Sequence, residues 1–339
     1  MQTLLPIESR LPALLAVILL VTGIPVLSAT GTQESDDIVI GISKFVVHPA
    51  LDAVEMGIQE ELADRGRDNV VYDLQNANAD VSTGRQIAGK FQADRVDLAV
   101  GIATPTSQAL KAALDDIPVV YTAITDPVSA GLVESLDRGE AGIAGVSHRT
   151  PVQQQIEFMM SLRPIRALGH VYSSGEANAV FLAEQTRRAC ENLGIEFISQ
   201  TITNPAEVRQ ATQSIVGRVD AIYVSTDNQV VSALSALSDV AMRNQIPVLS
   251  ADPTSAETNE VFVAWGFDWY QIGRITGELI DRILQGEDPG SIPTILVEDP
   301  AQMNMILNLD VARELGISIP EEVMDQADRI VEDGEIRRR

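Results

Sequence analysis

The stretch Ile38-Val-Ile-Gly-Ile42 decides the fold, because five consecutive apolar or small residues predict a buried strand. Apolar residues then recur at the spacing of one helix face, beginning near Pro49 and ending before Gly66: Leu51, Val54, Ile58 and Leu62. Further strands are predicted at residues 70–74, 97–101 and 117–121, with helices between them. Strand–helix–strand units of about 30 residues form right-handed crossovers. The first half of the chain therefore predicts a parallel sheet.

The alternation of strand and helix restarts after residue 150 and predicts a second parallel sheet built like the first. Its strands are predicted at residues 167–172, 195–201, 220–224 and 247–250. Thr150-Pro-Val-Gln153 has the composition of a capping box and predicts the start of the first helix in this half. Residues 122–149 lack a regular pattern and are predicted to make the first passage between the halves, with a surface loop as the alternative.

The end of the chain predicts a return between the two halves. A short strand at 261–264, a helix at 269–284, a strand at 294–297 and a helix near 303–315 follow one another. The sequence thus predicts an α/β chain of two Rossmann-like lobes. The first lobe comprises residues 36–146 and 262–290, the second lobe residues 147–261 and 291–330, and residues 331–339 form a frayed tail.

Residues 1–29 have the build of a secretory signal peptide. Arg10 precedes an apolar stretch from Leu11 to Val21, and Ser28 and Ala29 offer small residues for cleavage. An uncleaved membrane anchor is the alternative. No cysteine stands near the cleavage point, so attachment of a lipid there is not expected. The leader predicts a periplasmic or secreted protein.

Composition excludes several classes of function. The net charge of −24 disfavours binding to nucleic acid or to an anionic membrane surface. Cys190 is the single cysteine, so no internal disulfide is expected. The three histidines fit no metal-ligand spacing, and the sequence has neither a Gly-x-Ser-x-Gly elbow nor a phosphate loop. We therefore predict no enzymatic activity, no catalytic residue, no cofactor and no metal.

Polar residues follow nearly every predicted strand, and ligands of open parallel sheets bind at the carboxyl ends of the strands. Candidate ligand-binding residues of the first lobe are Phe45, His48, Thr104, Thr106, Ser107, Thr125 and Asp126. Those of the second lobe are Ser174, Glu176, Asn178, Asp227, Asn228 and Asp252, to which Trp265 and Asp268 are added at the return. Any one of these polar residues could serve as a helix cap or turn residue instead.

Several of these segments occur in an order that resembles a known family. The segments are His48-Pro-Ala-Leu-Asp52, Ala103-Thr-Pro-Thr106, Thr125-Asp-Pro-Val128, Gly175-Glu-Ala-Asn178 and Ile222-Tyr-Val-Ser-Thr-Asp-Asn228. Together they are similar to the substrate-binding proteins of ABC transporters in the tryptophan/tyrosine-binding (TrpX-like) family. The sequence Val261-Phe-Val-Ala-Trp-Gly-Phe-Asp-Trp269 departs from that family, which usually has small residues there.

The resemblance implies a type I periplasmic-binding-protein fold whose lobes are joined by three crossings and close on one ligand. It also implies a permease and an ATPase as partners. The leading hypothesis is a monomeric solute receptor for an amino-acid-like ligand. Thr104, Thr106 and Ser107 would hold a carboxylate, Asp227 an ammonium group, and Phe45 and Trp265 would form apolar walls. An enzyme on a doubly wound fold and a receptor subunit of a membrane sensor are the alternatives.

Overall fold

The computed structural model describes residues 37–258, 260–299 and 302–338, so the predicted leader at 1–29 lies outside the described residues. The first run of strands and helices follows the predicted order closely. Its strands are β1 (Ile38–Lys44), β2 (Val70–Asn76), β3 (Leu98–Ile102), β4 (Val119–Ile124) and β5 (Ile143–His148). Its helices are α1 (Pro49–Asp64), α2 (Val81–Asp94) and α3 (Thr104–Ala113).

The second run begins with α4 (Val152–Leu162). It continues through β6 (Ala167–Ser173), α5 (Ala177–Leu193), β7 (Glu196–Ile202), α6 (Val208–Ile215), β8 (Ala221–Val224), α7 (Asn228–Ser232), α8 (Leu234–Arg243) and β9 (Val248–Ser250). The last part contains α9 (Ser255–Thr258), β10 (Val263–Phe267), α10 (Trp269–Leu284), β11 (Ile295–Val297), β12 (Met303–Asn308), α11 (Leu309–Glu314), α12 (Glu321–Met324), β13 (Arg329–Glu332) and β14 (Glu335–Arg338).

The strands form two separate sheets. The first is parallel throughout and has the order β11-β5-β4-β3-β1-β2. The second has the order β14-β13-β12-β10-β9-β8-β6-β7 and is parallel except where β12 pairs with β10 and β14 with β13. Each sheet with its helices is one lobe. The chain crosses between the lobes after β5, between β10 and α10, and between β11 and β12. The predicted two-lobed α/β fold with three crossings is confirmed.

The structure corrects several details of the predicted boundaries. Strand β10 pairs within the second sheet and β11 within the first, whereas the sequence had placed each in the other lobe. The first crossing is confined to residues 149–151, and residues 125–142 form a loop inside the first lobe. Residues 303–308 form an antiparallel strand and not a helix, and much of the predicted frayed tail belongs to β13 and β14.

Helices α1 and α10 lie side by side in the first lobe and run in the same direction. Successive turns of α1 meet successive turns of α10, since Gly57 lies against Gly273 and Arg65 pairs with Asp281. A Cβ at Gly57 would lie 2.3 Å from the main-chain oxygen of Tyr270, and a Cβ at Gly273 would lie 2.3 Å from that of Val54. The two backbones therefore approach too closely for any larger residue at these positions.

Substitution of Gly57 or Gly273 by alanine is expected to lower the free energy of unfolding by about 1–3 kcal/mol, because a backbone must move to admit the new methyl group. Gly89 of α2 is the matched control, since a Cβ there meets nothing within 4 Å. Gly89→Ala is expected to raise stability by about 0.5–1 kcal/mol through helix propensity. Urea unfolding measures all three; a neutral Gly57→Ala variant would contradict the close contact.

Candidate functional site

A narrow pocket with a free volume of about 20 Å³ lies between the lobes where the carboxyl ends of their strands face each other. The first lobe contributes His48, Ala50, Leu51, Ala123, His148 and Trp269. The second lobe contributes Asn178, Thr226, Asp227, Asn228, Val231 and Asp252. Apart from the half-buried Thr226, the polar side chains of this set are almost entirely buried; Asp252 is 2% exposed and His48 7% exposed. The lobes are therefore closed on each other at these residues.

Five of the residues predicted from the sequence meet in this pocket: His48, Asn178, Asp227, Asn228 and Asp252. Sequence reasoning missed Thr226, His148 and Trp269 as lining residues. His148 ends β5 and would have been a candidate if residues 143–148 had been recognised as a strand of the first lobe. Trp269 begins α10 directly after a crossing, whereas the sequence suggested Trp265 as the aromatic wall.

Buried polar atoms without a hydrogen-bond partner are concentrated at this pocket. They include both ring nitrogens of His48 and of His148, Oδ1 of Asn178 and Oγ1 of Thr226. Such atoms are also carried by Ser225 and Gln229, which are next to lining residues in sequence, and by Ser173, whose backbone N–H bonds to Asp227. Because a buried polar atom without a partner costs about 1–3 kcal/mol, most such atoms in folded proteins are paired. Several of them around one pocket indicate that a polar ligand or water completes the bonding.

Two buried carboxyl groups lie at the second-lobe side of the pocket. Asp227 caps α7, and its oxygens accept hydrogen bonds from the backbone N–H groups of Val230 at 3.0 Å and Ser173 at 2.5 Å. Glu176 lies behind it and accepts hydrogen bonds from the Asn228 amide at 2.5 Å and the Gln229 N–H at 3.0 Å. Burial raises the pKa of Glu176 to about 8, and the negative charge of Asp227 adds to this rise. Burial also raises the pKa of Asp227 to about 6.

Asp252 connects the two lobes across the pocket. Its carboxylate accepts hydrogen bonds from the indole Nε1 of Trp269 at 2.8 Å and from the Thr254 hydroxyl. His48 lies close by; burial lowers the pKa of His48, while the carboxylate of Asp252 acts in the opposite direction. For the Asp252 carboxyl group, burial raises the pKa, because it disfavours the charged form. The ring of Trp269 continues the wall to His148, which contacts it edge-on at 5.0 Å between centroids.

The start of α1 presents unpaired main-chain donors to the pocket. His48 precedes the helix and makes no side-chain cap, and Pro49 has no N–H. The N–H groups of Ala50 and Leu51 have no acceptor within an α-helix at these positions. Both residues are buried and line the pocket. This helix start can therefore hold a negatively charged group.

The carboxylate site predicted at the start of α3 has a different arrangement. Thr104 is the first helical residue and not the cap, since Ala103 precedes the helix with a φ of 83°. The hydroxyl of Thr106 donates to the oxygens of Ile102 and Ala103, and that of Ser107 to the oxygens of Gly101 and Ala103. These hydroxyl protons are already used inside the first lobe.

The remaining predicted residues lie outside the pocket. Phe45 is fully buried in the core of the first lobe, and Trp265 packs against Phe158 at 5.6 Å between ring centroids. Thr125 and Asp126 line a separate groove that also contains Arg149, and the carboxylate of Asp126 accepts a hydrogen bond from the backbone N–H of Ser129. Two others have local partners: Ser174 donates to the Ile202 oxygen, and Asp268 caps α10.

The predicted capping box at residues 150–153 is also absent from the structure. Helix α4 begins at Val152 after Pro151, no side chain caps it, and the Thr150 hydroxyl has no partner. Across the described part of the chain, no set of three or more His, Cys, Asp or Glu side chains is arranged to hold a metal ion. None of the described helices is both long enough and apolar enough to cross a membrane.

Residues 39–331 match the family model of the ABC transporter substrate-binding proteins. The chain belongs to this family. It is 35% identical over 280 residues to a tyrosine-binding protein of Clostridioides difficile, covering 81% of this chain and 80% of that protein. The family predicted from the sequence, which consists of solute-binding proteins with the type I periplasmic-binding-protein fold, is confirmed.

Two solved structures with nearly equal sequence identity superpose on this chain to different extents. An ABC domain from Streptococcus pneumoniae in complex with L-Trp is 32% identical and superposes with a TM-score of 0.83, covering 87% of this chain and all (100%) of that chain. A ligand-free, open structure of a substrate-binding protein with adhesive properties from Clostridium difficile is 33% identical. It covers 84% of this chain and 96% of that chain, with a TM-score of only 0.62. Since the identities are nearly equal, the lower score of the open structure agrees with a closed arrangement in this protein.

Glu176 is expected to make stability depend on pH. Its pKa rises from 4.5 to about 8 on folding, so between these values the folded chain holds a proton that the unfolded chain releases. The free energy of unfolding therefore falls as pH rises through this window, by at most about 1.4 kcal/mol per pH unit from this group. Glu176→Gln removes the ionisation, so its stability relative to the wild type is expected to increase from pH 5 to pH 8.

Chemical denaturation at several pH values measures this difference. Glu184→Gln is the control, because Arg187 and Arg188 hold the pKa of Glu184 at about 2 and keep it ionised throughout the window. A difference between wild type and Glu176→Gln that stays constant with pH would contradict the protonation of Glu176 in the folded chain.

Proposed function

We propose that this chain is the extracytoplasmic receptor of an ABC importer and that it binds an amino acid with an aromatic side chain by closing its lobes. The observation that carries the proposal is the set of buried polar atoms without partners, which face one pocket from both lobes. Family membership supports a permease and an ATPase as the partners. The predicted leader at residues 1–29 supports a location outside the cytoplasm.

The charge of the pocket favours a ligand ammonium group. Asp227 and Asp252 line the pocket, Glu176 lies behind Asp227, and neither lysine nor arginine is among the described lining residues. Oδ1 of Asn178 accepts no hydrogen bond. The Nδ2 group of the same side chain donates to the main-chain oxygen of Thr226 at 3.0 Å. This fixed amide places a free acceptor beside the carboxylates. We assign the ligand ammonium to Asn178 and Asp227.

The ligand carboxylate is assigned to the start of α1, on the opposite lobe. The free N–H groups of Ala50 and Leu51 point along the helix axis, and the helix dipole adds a partial positive charge there. The hydroxyl of Thr226 and the ring of His48 have no partners and can complete the bonding. This assignment replaces the predicted site at Thr104, Thr106 and Ser107. A zwitterion bound in this way contacts both lobes and stabilises their closure.

Aromatic and aliphatic side chains support an aromatic ligand. Trp269 forms one wall and is held in place by Asp252 and His148, while Leu51 and Val231 supply aliphatic surface. The L-Trp complex of the Streptococcus pneumoniae relative and the name of the Clostridioides difficile relative support the same class of ligand. Phe45 and Trp265, which the sequence suggested for this role, lie elsewhere.

Isothermal titration calorimetry with the L-amino acids tests the proposal. At least one aromatic amino acid is expected to bind with a stoichiometry of one, and analogues that lack either the ammonium or the carboxylate are expected to bind at least tenfold more weakly. Asn178→Ala is expected to weaken binding about tenfold or more through loss of the acceptor. Asn192→Ala is the matched control, an exposed asparagine at the other end of α5. Absence of saturable binding by every aromatic amino acid would contradict the ligand assignment.

Fluorescence gives an independent measure of where the ligand binds. The chain has two tryptophans, of which Trp269 lines the pocket and Trp265 does not. In a Trp265→Phe variant, the remaining emission is expected to change on addition of a non-fluorescent ligand that fills the pocket. In a Trp269→Phe variant, the change is expected to be several-fold smaller. Equal responses from the two variants would place the ligand away from Trp269.

A further inference from the structure

The imidazole of His148 has no hydrogen-bond partner at either nitrogen, although the residue is only 1% exposed. It ends β5 and lines the pocket between the lobes. Trp269 contacts its ring at 5.0 Å and Phe267 at 5.7 Å between centroids, both edge-on, and neither ring bonds to its nitrogens. A buried imidazole without partners is costly, which indicates that its partner arrives from the pocket.

His148 lies at the end of the pocket opposite the proposed head-group site. In the first sheet, β5 is separated from β1 by β4 and β3. Three strand spacings of about 4.8 Å place the ends of β5 and β1 about 14 Å apart. His48 follows β1 and lies near Asp252, on the side where the ammonium and carboxylate are assigned. The Trp269 side chain spans the distance between Asp252 and His148, since its Nε1 donates to Asp252 and its ring contacts the imidazole of His148.

We propose that His148 selects aromatic amino acids that carry a hydrogen-bonding group on the ring, a phenol hydroxyl or an indole N–H, over phenylalanine. This inference rests on the proposed function, because it assumes that an amino acid binds with its head group at the α1 end. His148 is then a specificity-determining residue that contacts the far end of the ligand side chain.

The chemistry of the imidazole suits this role. Burial lowers the pKa of His148 to about 4, so the ring is neutral at physiological pH. A neutral imidazole has one donor and one acceptor nitrogen. A phenol hydroxyl can bond to either, and an indole N–H can donate to the acceptor. Phenylalanine would leave both nitrogens buried without a partner. The expected discrimination against it is about tenfold to hundredfold in Kd.

Calorimetric titration of the wild-type chain with two matched ligand series tests the inference without any substitution. The first series is L-tyrosine, O-methyl-L-tyrosine and L-phenylalanine, and the second is L-tryptophan and 1-methyl-L-tryptophan. We expect L-tyrosine or L-tryptophan to bind at least tenfold more tightly than L-phenylalanine. Loss of affinity on methylation in the first series assigns the hydroxyl as the partner, and loss in the second assigns the indole N–H.

Two variants then attribute the preference to His148. His148→Leu is expected to reduce the preference over L-phenylalanine to less than threefold. His148→Gln keeps a hydrogen-bonding side chain and is expected to retain part of it. His170→Gln is a control for the loss of a buried histidine, because His170 is also fully buried but lies among Tyr172, Phe197 and Tyr223 in the second lobe. It is expected to leave the ligand preference as in the wild type.

The outcomes separate this inference from the proposed function. If the wild type binds L-tyrosine, L-tryptophan and L-phenylalanine with equal affinity, the selective role of His148 is wrong while amino-acid binding stands. Retention of the full preference by a folded His148→Leu variant also overturns the role of His148. If none of these amino acids binds, both proposals fail together.

Discussion

The close packing of α1 on α10 is the constraint on which the binding pocket depends. Gly57 and Gly273 let the two backbones meet, and Arg67 and Arg274 pair with Asp281 and Glu61 at the same interface. Because the helices run in the same direction, both begin at the edge of the sheet that faces the second lobe. The start of α1 supplies the free N–H groups, and the start of α10 supplies Trp269. A shift of one helix along the other would therefore separate the proposed carboxylate site from the aromatic wall.

Two of the lining residues lie beside crossings between the lobes. His148 is the last residue of β5 before the first crossing, and Trp269 is the first residue of α10 after the second. The indole of Trp269 bonds to Asp252 of the second lobe, so this hydrogen bond joins the lobes directly in the closed arrangement. The pocket wall and the hinge are thus built partly from the same short segments, which couples occupancy of the pocket to the angle between the lobes.

Periodicity was sufficient to predict the regular parts of the fold. The predicted helix limits at 269–284 agree with the structure, because Asp268 caps the start of this helix and apolar spacing continues along it. Residues 303–308 were predicted as helix because a short apolar run carries no clear period, and their pairing with β10 depends on a distant segment. Five pocket residues were predicted because ligands of parallel sheets bind at the carboxyl ends of the strands. His148 was missed because β5 lies among glycines and was not recognised as a strand.

The unpaired polar atoms explain why closure should depend on a ligand. In the closed arrangement, the ring nitrogens of His48 and His148, Oδ1 of Asn178 and Oγ1 of Thr226 have left water without gaining partners inside the protein. Each such atom costs about 1–3 kcal/mol, which together exceeds what the Trp269–Asp252 hydrogen bond returns. Opening restores water to these groups, whereas a zwitterion supplies both donors and acceptors in one step. A ligand that bonds to groups on both lobes stabilises the closed state specifically, and this difference in affinity between the two states is what drives the movement.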